Sequence, residues 1–322
     1  MRLFLSNPNV DTYSAGEIAQ PATPRPLKQL LAWKTVEVIW RASRESLSIK
    51  GVVPVLCYHR VLPSLPGTEA SAFAVTPEQF ESQLVFLSEN GFYSLSLEEF
   101  KDMARGPMTP TRPSVLITFD DGYYDNFAIA WPIAQKYGIK INIFALTGLA
   151  GKDDPVIIGA DTRTVRAQVN RFPELWRMMN WRELRSMQEA GVGIGLHGHT
   201  HRRMSSRGKD VIAKELELAT LIFRKELGAR PWAFAIPYGS PGTFTAEVLK
   251  LLKSLGLEMV FSTLTGRTHL PEDDLPIRRM VISSYDDLRS FEMKVSGALD
   301  WLGHIRAVEQ RVRNLSEPIP IR

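Results

Sequence analysis

The fold is decided by residues 115–127, VLITFDDGYYDNF, where an apolar run ends on two adjacent aspartates. The apolar run predicts a strand over residues 115–119. Two like charges side by side at a strand end destabilise each other unless a cation or a proton offsets one of them. Asp120 and Asp121 therefore indicate either a metal site or a hydrogen-bonded turn.

Short apolar segments alternate with helical patterns along the chain after Gly51. This alternation is typical of α/β proteins with a mostly parallel sheet. The predicted strands are residues 53–58, 115–119, 140–146, 192–197, 232–236, 258–263 and 277–282. The main predicted helices are residues 77–89, 97–104, 181–190, 209–227 and 245–255. Seven strands in this rhythm predict a closed or nearly closed barrel, because a parallel sheet of that size must have both faces covered.

Composition and charge exclude several classes of protein. The 322 residues, 44% of them hydrophobic, are enough to bury one large core. No run reaches the ~18 to 20 apolar residues of a membrane span, and the first residues lack the apolar core of an export signal, so we expect a cytoplasmic protein. Cys57 is the single cysteine, which excludes an intramolecular disulfide and a thiolate-rich metal site. The net charge of +4 is too small to indicate nucleic-acid binding.

Three parts can be distinguished along the chain: an N-terminal extension (residues 1–50), the α/β domain (residues 51–299) and a C-terminal helix and tail (residues 300–322). Within the extension, residues 27–46 predict an amphipathic helix with two tryptophans on its apolar face. We interpret this helix as packing on the domain. Peripheral contact with the inner membrane is the alternative, because tryptophans flanked by arginines also suit a bilayer interface.

Three of the six histidines fall within residues 196–201, LHGHTH. The i, i+4 spacing brings His197 and His201 to one side of a turn, whereas His199 at i+2 is expected to point away. Two imidazoles and the carboxylate of Asp121 would supply three protein ligands and leave a coordination position for water. That open arrangement is typical of catalytic zinc sites.

The candidate reactive residues share a position in the predicted barrel, since each follows the carboxyl end of a strand. They are His59, Asp120, Asp121, His197 and Tyr238. In barrels of parallel strands, the reactive groups gather at this end. With Asp121 as a ligand, the adjacent Asp120 is free to accept a proton from water that a metal ion has acidified.

Three segments resemble the successive motifs of the polysaccharide deacetylases, also called the NodB-homology group or carbohydrate esterase family 4. They are residues 118–122 (TFDDG), the His197 and His201 pair, and residues 234–239 (FAIPYG). The resemblance extends over about residues 53–297. It implies a distorted (β/α)7 barrel and hydrolysis of the N-acetyl group of a sugar, with release of acetate. The implied substrate is an N-acetylated oligo- or polysaccharide, or a lipid- or nucleotide-linked sugar.

The same resemblance implies roles for individual residues. Asp120 would be the general base, and Asp121, His197 and His201 would ligate Zn²⁺ or another divalent ion such as Co²⁺ or Ni²⁺. The backbone N–H of Tyr238 would stabilise the oxyanion.

The chain departs from the family pattern in its third motif. Many members have an arginine where this chain has Ala235, and that arginine orients the base. Arg279 is a candidate to supply the missing charge. A surface ion pair is the alternative for this arginine.

Residues 58–61, YHRV, resemble the early segment of the permuted branch of the family, which includes the poly-N-acetylglucosamine deacetylases of biofilm formation. In that branch the catalytic acid comes from the N-terminal strand, which makes His59 the candidate acid. His269, late in the chain, is the alternative. A Cys57–His59 nucleophile is disfavoured, because i, i+2 spacing in a strand does not reliably bring thiol and imidazole together.

Three other functions stay open from the sequence. The same site could hydrolyse an O-acetyl ester or another small amide. Loss of the third-motif arginine is compatible with a carbohydrate-binding pseudoenzyme. Finally, the chain could be a basic adaptor that acts through its N-terminal helix.

Overall fold

The computed structural model describes residues 51–65, 73–106, 110–158, 162–206, 208–270, 276–298 and 300. The predicted extension over residues 1–50, including the helix of residues 27–46, lies outside these ranges, as do residues 301–322 of the predicted C-terminal helix and tail. Within the described ranges, no helix combines the length and the apolar character that crossing a bilayer requires.

Twelve strands occur in the described residues. They are β1 (Val52–Val53), β2 (Val55–Tyr58), β3 (Arg60–Val61), β4 (Ala74–Val75), β5 (Tyr93–Leu95), β6 (Ser114–Phe119), β7 (Asn142–Ala145), β8 (Gly193–Leu196), β9 (Ala233–Ala235), β10 (Met259–Phe261), β11 (Thr268–His269) and β12 (Met280–Val281). Each of the seven predicted strands overlaps at least one of these.

Eight strands form the main sheet, in the order β10-β9-β8-β7-β6-β2-β12 with β5 also paired to β6. Every pairing in it is parallel. A parallel bridge between Phe261 and Ile277 joins β10 to the segment that leads into β12. This bridge brings the two ends of the sheet together, so the predicted distorted barrel is confirmed. Strand β5 was missed because three residues are too few to show a pattern.

Eight α-helices occur in the described part of the chain. They are α1 (Pro77–Glu89), α2 (Leu97–Arg105), α3 (Trp131–Lys136), α4 (Thr162–Arg171), α5 (Trp181–Glu189), α6 (Lys209–Leu227), α7 (Ala246–Ser254) and α8 (Leu288–Val295). Helices α1, α2 and α5 begin with capping boxes, in which the N-cap side chain and the third helical residue satisfy each other's backbone N–H groups.

Two layers of apolar side chains make up most of the core, because side chains alternate between the two faces of a strand. The outer layer packs the sheet against the helices and contains Ile117, Phe119 and Ile143 together with Leu84 of α1 and Leu184 of α5. The inner layer fills the lower part of the barrel. Its members include Val55, Leu116, Phe144, Ala235 and Phe261.

The connection over residues 152–180 contains helix α4 and a short 3-10 turn, Pro173–Trp176. Its apolar residues Leu175 and Trp176 pack with Leu62 and Ala74, which lie beside the upper end of β2. The connection therefore forms a wall at the carboxyl end of the barrel.

Candidate metal and catalytic site

Along the strands, the side chains that face the inside of the barrel are apolar at its lower end and polar at its upper end. On β6 the inner face continues from Leu116 through Thr118 to Asp120, and on β2 it continues from Val55 to His59. Because the strands are parallel and paired in register, these ends meet above the apolar layer. The site is therefore the polar top of the barrel interior.

Asp121, His197 and His201 converge on one point. Oδ1 of Asp121 lies 3.4 Å from Nε2 of His197 and 3.5 Å from Nε2 of His201. This carboxylate oxygen is buried and has no hydrogen-bond partner among the described residues. An unpaired buried carboxylate oxygen is costly unless a cation or proton neutralises it.

These three residues fit a divalent metal ion. Two imidazoles and one carboxylate form the ligand set of many catalytic zinc sites, and an ion between them would satisfy the unpaired Asp121 oxygen. Burial lowers the pKa of His201 to about 4, so its imidazole is neutral near pH 7 and can offer a lone pair. Burial opposes the charge on His197, yet the Asp120 and Asp121 carboxylates outweigh it and raise the pKa of His197. A proton and a cation therefore compete for this position.

Hydrogen bonds to other residues orient His197 and the turn that carries His201. Nδ1 of His197 lies 2.8 Å from the carbonyl oxygen of Ala235, and a proton on Nδ1 would leave Nε2 free to bind the metal. In the same turn, the backbone N–H and the hydroxyl of Thr200 donate to Oε1 of Glu215 on α6, at 3.1 and 3.0 Å. Glu215 was not identified from the sequence, because nothing in a helical pattern marks which polar residue contacts a distant loop.

Asp120 lies beside the candidate ligands and is paired with Arg279. Nη1 and Nη2 of Arg279 donate to the two carboxylate oxygens, at 2.7 and 2.6 Å. Both residues are buried, with Arg279 0% and Asp120 2% exposed. Burial by itself would raise the pKa of Asp120, but Arg279 outweighs it and holds the pKa below its usual value. The alternative of a surface ion pair for Arg279 is therefore wrong.

His59 faces the same space from the end of β2, and its ring centroid lies 5.1 Å from that of Phe73. Its Nδ1 is buried and has no hydrogen-bond partner among the described residues. Burial lowers the pKa of His59, which makes its protonated form a stronger acid. His269 is exposed and lies on β11, which pairs with Val52 on β1, before β2 begins. It is therefore at the opposite end of the barrel from His59.

Strained backbone coincides with the site. Among the described residues, the non-glycine residues with positive φ are Asp121 (71°), His201 (58°) and Tyr238 (65°). Left-handed conformations cost such residues energy and persist where the surrounding structure holds them, which is common at functional sites. The Tyr238 ring lies over His201 with a centroid distance of 4.6 Å and is 43% exposed, so it forms part of the rim.

Neither Cys57 nor His199 belongs to the cluster of Asp121, His197 and His201. Cys57 is fully buried with its Sγ 3.5 Å from Oδ2 of Asp120, and burial raises the pKa of the thiol well above its usual value. A thiolate nucleophile is therefore disfavoured. His199 contacts Thr147, with Nδ1 3.0 Å from the hydroxyl oxygen, and does not join the ligand cluster.

A cavity of about 330 Å³ opens onto the site. One wall consists of the candidate reactive residues. The other wall is mainly apolar and is formed by Leu62, Phe73, Ala74, Tyr123, Ile158 and Trp176. A cavity with one apolar wall and one wall of convergent polar groups is the usual form of a small-molecule site.

Comparison with known proteins agrees with this geometry. Residues 108–260 match the family model described as polysaccharide deacetylase. A poly-β-1,6-N-acetyl-D-glucosamine N-deacetylase of Staphylococcus aureus (strain MRSA252) is 27% identical over 224 residues, which cover 67% of this chain and 70% of the relative.

Two solved structures share the fold. The deacetylase PplD of Streptococcus pyogenes, in complex with acetate, has a TM-score of 0.63 and 22% identity, covering 77% of this chain and 99% of that one. IcaB of Ammonifex degensii has a TM-score of 0.62 and 24% identity, covering 77% of this chain and 98% of that one. This chain is therefore similar to polysaccharide deacetylases, which are hydrolases, in sequence over residues 108–260 and in fold.

Proposed function

We propose that this protein is a metal-dependent N-deacetylase, which hydrolyses the N-acetyl group of a sugar in a polysaccharide or its precursor and releases acetate. The observation that carries the proposal is the buried Oδ1 of Asp121, which lacks a hydrogen-bond partner among the described residues and faces Nε2 of both His197 and His201. Zn²⁺ is the proposed ion, with Co²⁺ and Ni²⁺ as alternatives. When bound, the ion would supply Lewis-acid activation of water.

The chain's own side chains would perform the proton transfers. Asp120 would accept a proton from the attacking water. The two hydrogen bonds that its carboxylate accepts from Arg279 keep it ionised and fix its orientation. The backbone N–H of Tyr238 would donate to the amide oxygen as negative charge develops on it. His59 would give a proton to the sugar nitrogen as the carbon–nitrogen bond breaks, so that acetate and a neutral amine leave.

We further propose that the chain belongs to the permuted branch of the family, in which the acid comes from the N-terminal strand. Its YHRV segment, residues 58–61, supports this proposal. The position of His59 supports it too, because His59 lies at the same end of the barrel as Asp120. The Staphylococcus aureus relative, a poly-β-1,6-N-acetyl-D-glucosamine N-deacetylase, makes a β-1,6-linked N-acetylglucosamine polymer the first substrate to test.

The decisive experiment combines metal analysis with acetate release. The purified protein should contain about one divalent ion per chain and should release acetate from N-acetylglucosamine oligomers. Chelation should abolish release, and added Zn²⁺ should restore it. Acetylated xylan serves as the comparison substrate, because preferential release from it would replace the N-deacetylase by an O-acetyl esterase. Activity that persists in an Asp121→Ala variant would contradict the proposal.

The location of the reaction is a separate part of the proposal. A cytoplasmic protein would act on a precursor, such as a lipid- or nucleotide-linked sugar, at the inner membrane or in solution. Fractionation of cells that express the full chain, followed by immunoblotting, tests this location. Recovery from the medium or the cell wall would instead favour a finished polymer as substrate.

A further inference from the structure

Asp125 and Asn126 close the stretch that decides the fold, yet neither takes part in the proposed metal site or proton transfers. Both are 0% exposed. A buried carboxylate next to a buried amide is costly unless each makes specific contacts. Their contacts converge on one short segment, the residues that surround His59.

The backbone at His59 lies between two strands. Strand β2 ends at Tyr58, where the backbone N–H of Asp120 donates to the Tyr58 carbonyl at 2.9 Å, and strand β3 begins at Arg60. At His59 the backbone pairs with a side chain instead of a strand: Nδ2 of Asn126 donates to the carbonyl oxygen of His59 at 2.9 Å. A side chain therefore replaces the strand partner that the His59 carbonyl lacks.

Asp125 holds the residues that follow His59. Its Oδ2 accepts the backbone N–H of Val61 at 2.6 Å, and its Oδ1 accepts Nε of Arg60 at 2.6 Å. Nδ2 of Asn126 also donates to Oδ2 of Asp125, at 3.1 Å, so the two side chains support each other.

Arg60 connects this network to the wall of the cavity. Its guanidinium carbon lies 3.8 Å from the ring centroid of Tyr123 and 4.3 Å from that of Trp176, and Nη2 donates to the carbonyl of Leu175 at 2.8 Å. Stacking between two aromatic rings and a buried ion pair leave the Arg60 side chain little freedom. The segment around His59 is therefore held by side chains from two directions.

We propose that Asp125 and Asn126 are positioning residues that hold His59 at a fixed distance from Asp120, an inference that rests on the proposed role of His59 as the acid. Asp120 and this pair belong to one continuous segment, and the same segment hydrogen-bonds the backbone on both sides of His59. The spacing between base and acid is thus set within a few residues of one chain. Misplacing a catalytic group by about 1 Å can cost roughly 100-fold in rate.

The test uses Asn126→Ala and a matched control, Asn142→Ala. Asn142 is equally buried, and its Nδ2 also donates to backbone carbonyls, those of Leu95 and Ile117, but it makes none of the contacts to residues 59–61. Both variants lose a buried amide and should lose similar stability. Asn126→Ser is the reserve variant should Asn126→Ala fail to fold, because its hydroxyl is too short to reach the His59 carbonyl.

The readout is the ratio of two activities, acetate release from N-acetylglucosamine oligomers and hydrolysis of 4-nitrophenyl acetate. The amide needs an acid to protonate its leaving nitrogen, whereas nitrophenolate leaves without one. We expect Asn126→Ala to lower kcat on the amide by roughly 10- to 100-fold, with a much smaller effect on the ester. His59→Ala should show the same selectivity. The double variant His59→Ala/Asn126→Ala should have a kcat on the amide only slightly below that of His59→Ala.

A separate measurement needs no substrate. The imidazole Cε1–H signal of His59 in NMR spectra of the folded proteins should shift or broaden in Asn126→Ala and stay unchanged in Asn142→Ala. An unchanged signal, or equal losses on amide and ester, would overturn the positioning role. A wild-type protein that releases no acetate from any sugar would overturn the proposed function instead, and the NMR comparison would still decide whether Asn126 positions His59.

Discussion

Arg279 contacts both carboxylate oxygens of Asp120 through its two terminal nitrogens, although 159 residues separate them in the sequence. The other hydrogen bonds of this guanidinium go to the carbonyl of Ser262 and the hydroxyl of Thr118, at 2.8 and 3.2 Å. Ala235 stands where many relatives are expected to have the arginine that orients the base. In this chain Arg279, which directly precedes β12, supplies a positive charge to the Asp120 carboxylate.

Removing this arginine should leave an uncompensated buried charge. We expect Arg279→Met to lower the free energy of unfolding by about 3 to 5 kcal/mol, the usual cost of breaking a buried ion pair. The double variant Arg279→Met/Asp120→Asn should recover part of that loss, because it no longer buries a lone carboxylate. Urea unfolding of the three proteins gives the comparison, and a loss below about 1 kcal/mol in the single variant would contradict the buried pair.

Metal binding should depend on His201 and not on His199. We expect His201→Ala to weaken Zn²⁺ binding by roughly 100-fold or more, since the ion would lose one of three protein ligands. His199→Ala is the matched control, because its imidazole contacts Thr147 outside the cluster. Calorimetric titration of chelator-treated protein with Zn²⁺ measures both. Equal affinities in the two variants would exclude His201 as a ligand.

The division of labour between the two aspartates can be tested with a single substitution. Asp120→Asn removes the proposed base but keeps a similar shape beside Arg279. We expect acetate release to fall by roughly 100- to 10,000-fold while the metal content stays at the wild-type level. Acetate assays and elemental analysis of the same preparation measure both quantities. Loss of the metal together with the activity would make Asp120 a ligand, contrary to its proposed role.

Glu99 should make stability depend on pH. Partial burial opposes its ionisation, but hydrogen bonds from Lys140 and Tyr93 outweigh this effect and lower the pKa of Glu99 to about 2. A carboxylate whose folded-state pKa is lowered stabilises the protein above its unfolded-state pKa, and the contribution is lost as the pH falls toward the folded value. Glu99→Gln, which can keep the capping hydrogen bond to Ser96, should therefore be less stable than wild type at neutral pH.

The difference in unfolding free energy between Glu99→Gln and wild type should shrink as the pH falls from about 5 to about 3. Denaturant unfolding at several pH values measures it. The exposed neighbour Glu98, in the same helical turn, provides the control substitution Glu98→Gln. A difference that stays constant across this range would show that the charge of Glu99 contributes nothing.

The sequence was sufficient for the features that depend on local patterns. Alternation of apolar segments and helices predicted the parallel barrel, since strand and helix periodicities are properties of neighbouring residues. The positions of Asp120, Asp121, His197 and His201 at strand ends predicted that they would meet, because parallel strands bring their carboxyl ends to one side. The short strand β5 and helix α4 were missed, since the first is too short and the second too polar to give a clear pattern.

Only the tertiary structure could decide contacts between distant parts of the chain. It pairs Arg279 with Asp120, puts His59 and His269 at opposite ends of the barrel, and links Asp125 and Asn126 to the backbone around His59. Strand and helix patterns assign a residue to an element and a face, but which two faces come within hydrogen-bond distance depends on packing and closure of the whole sheet. The sequence by itself therefore predicted the barrel and the proposed ligands, and the fold determined how the proposed base and the proposed acid are held.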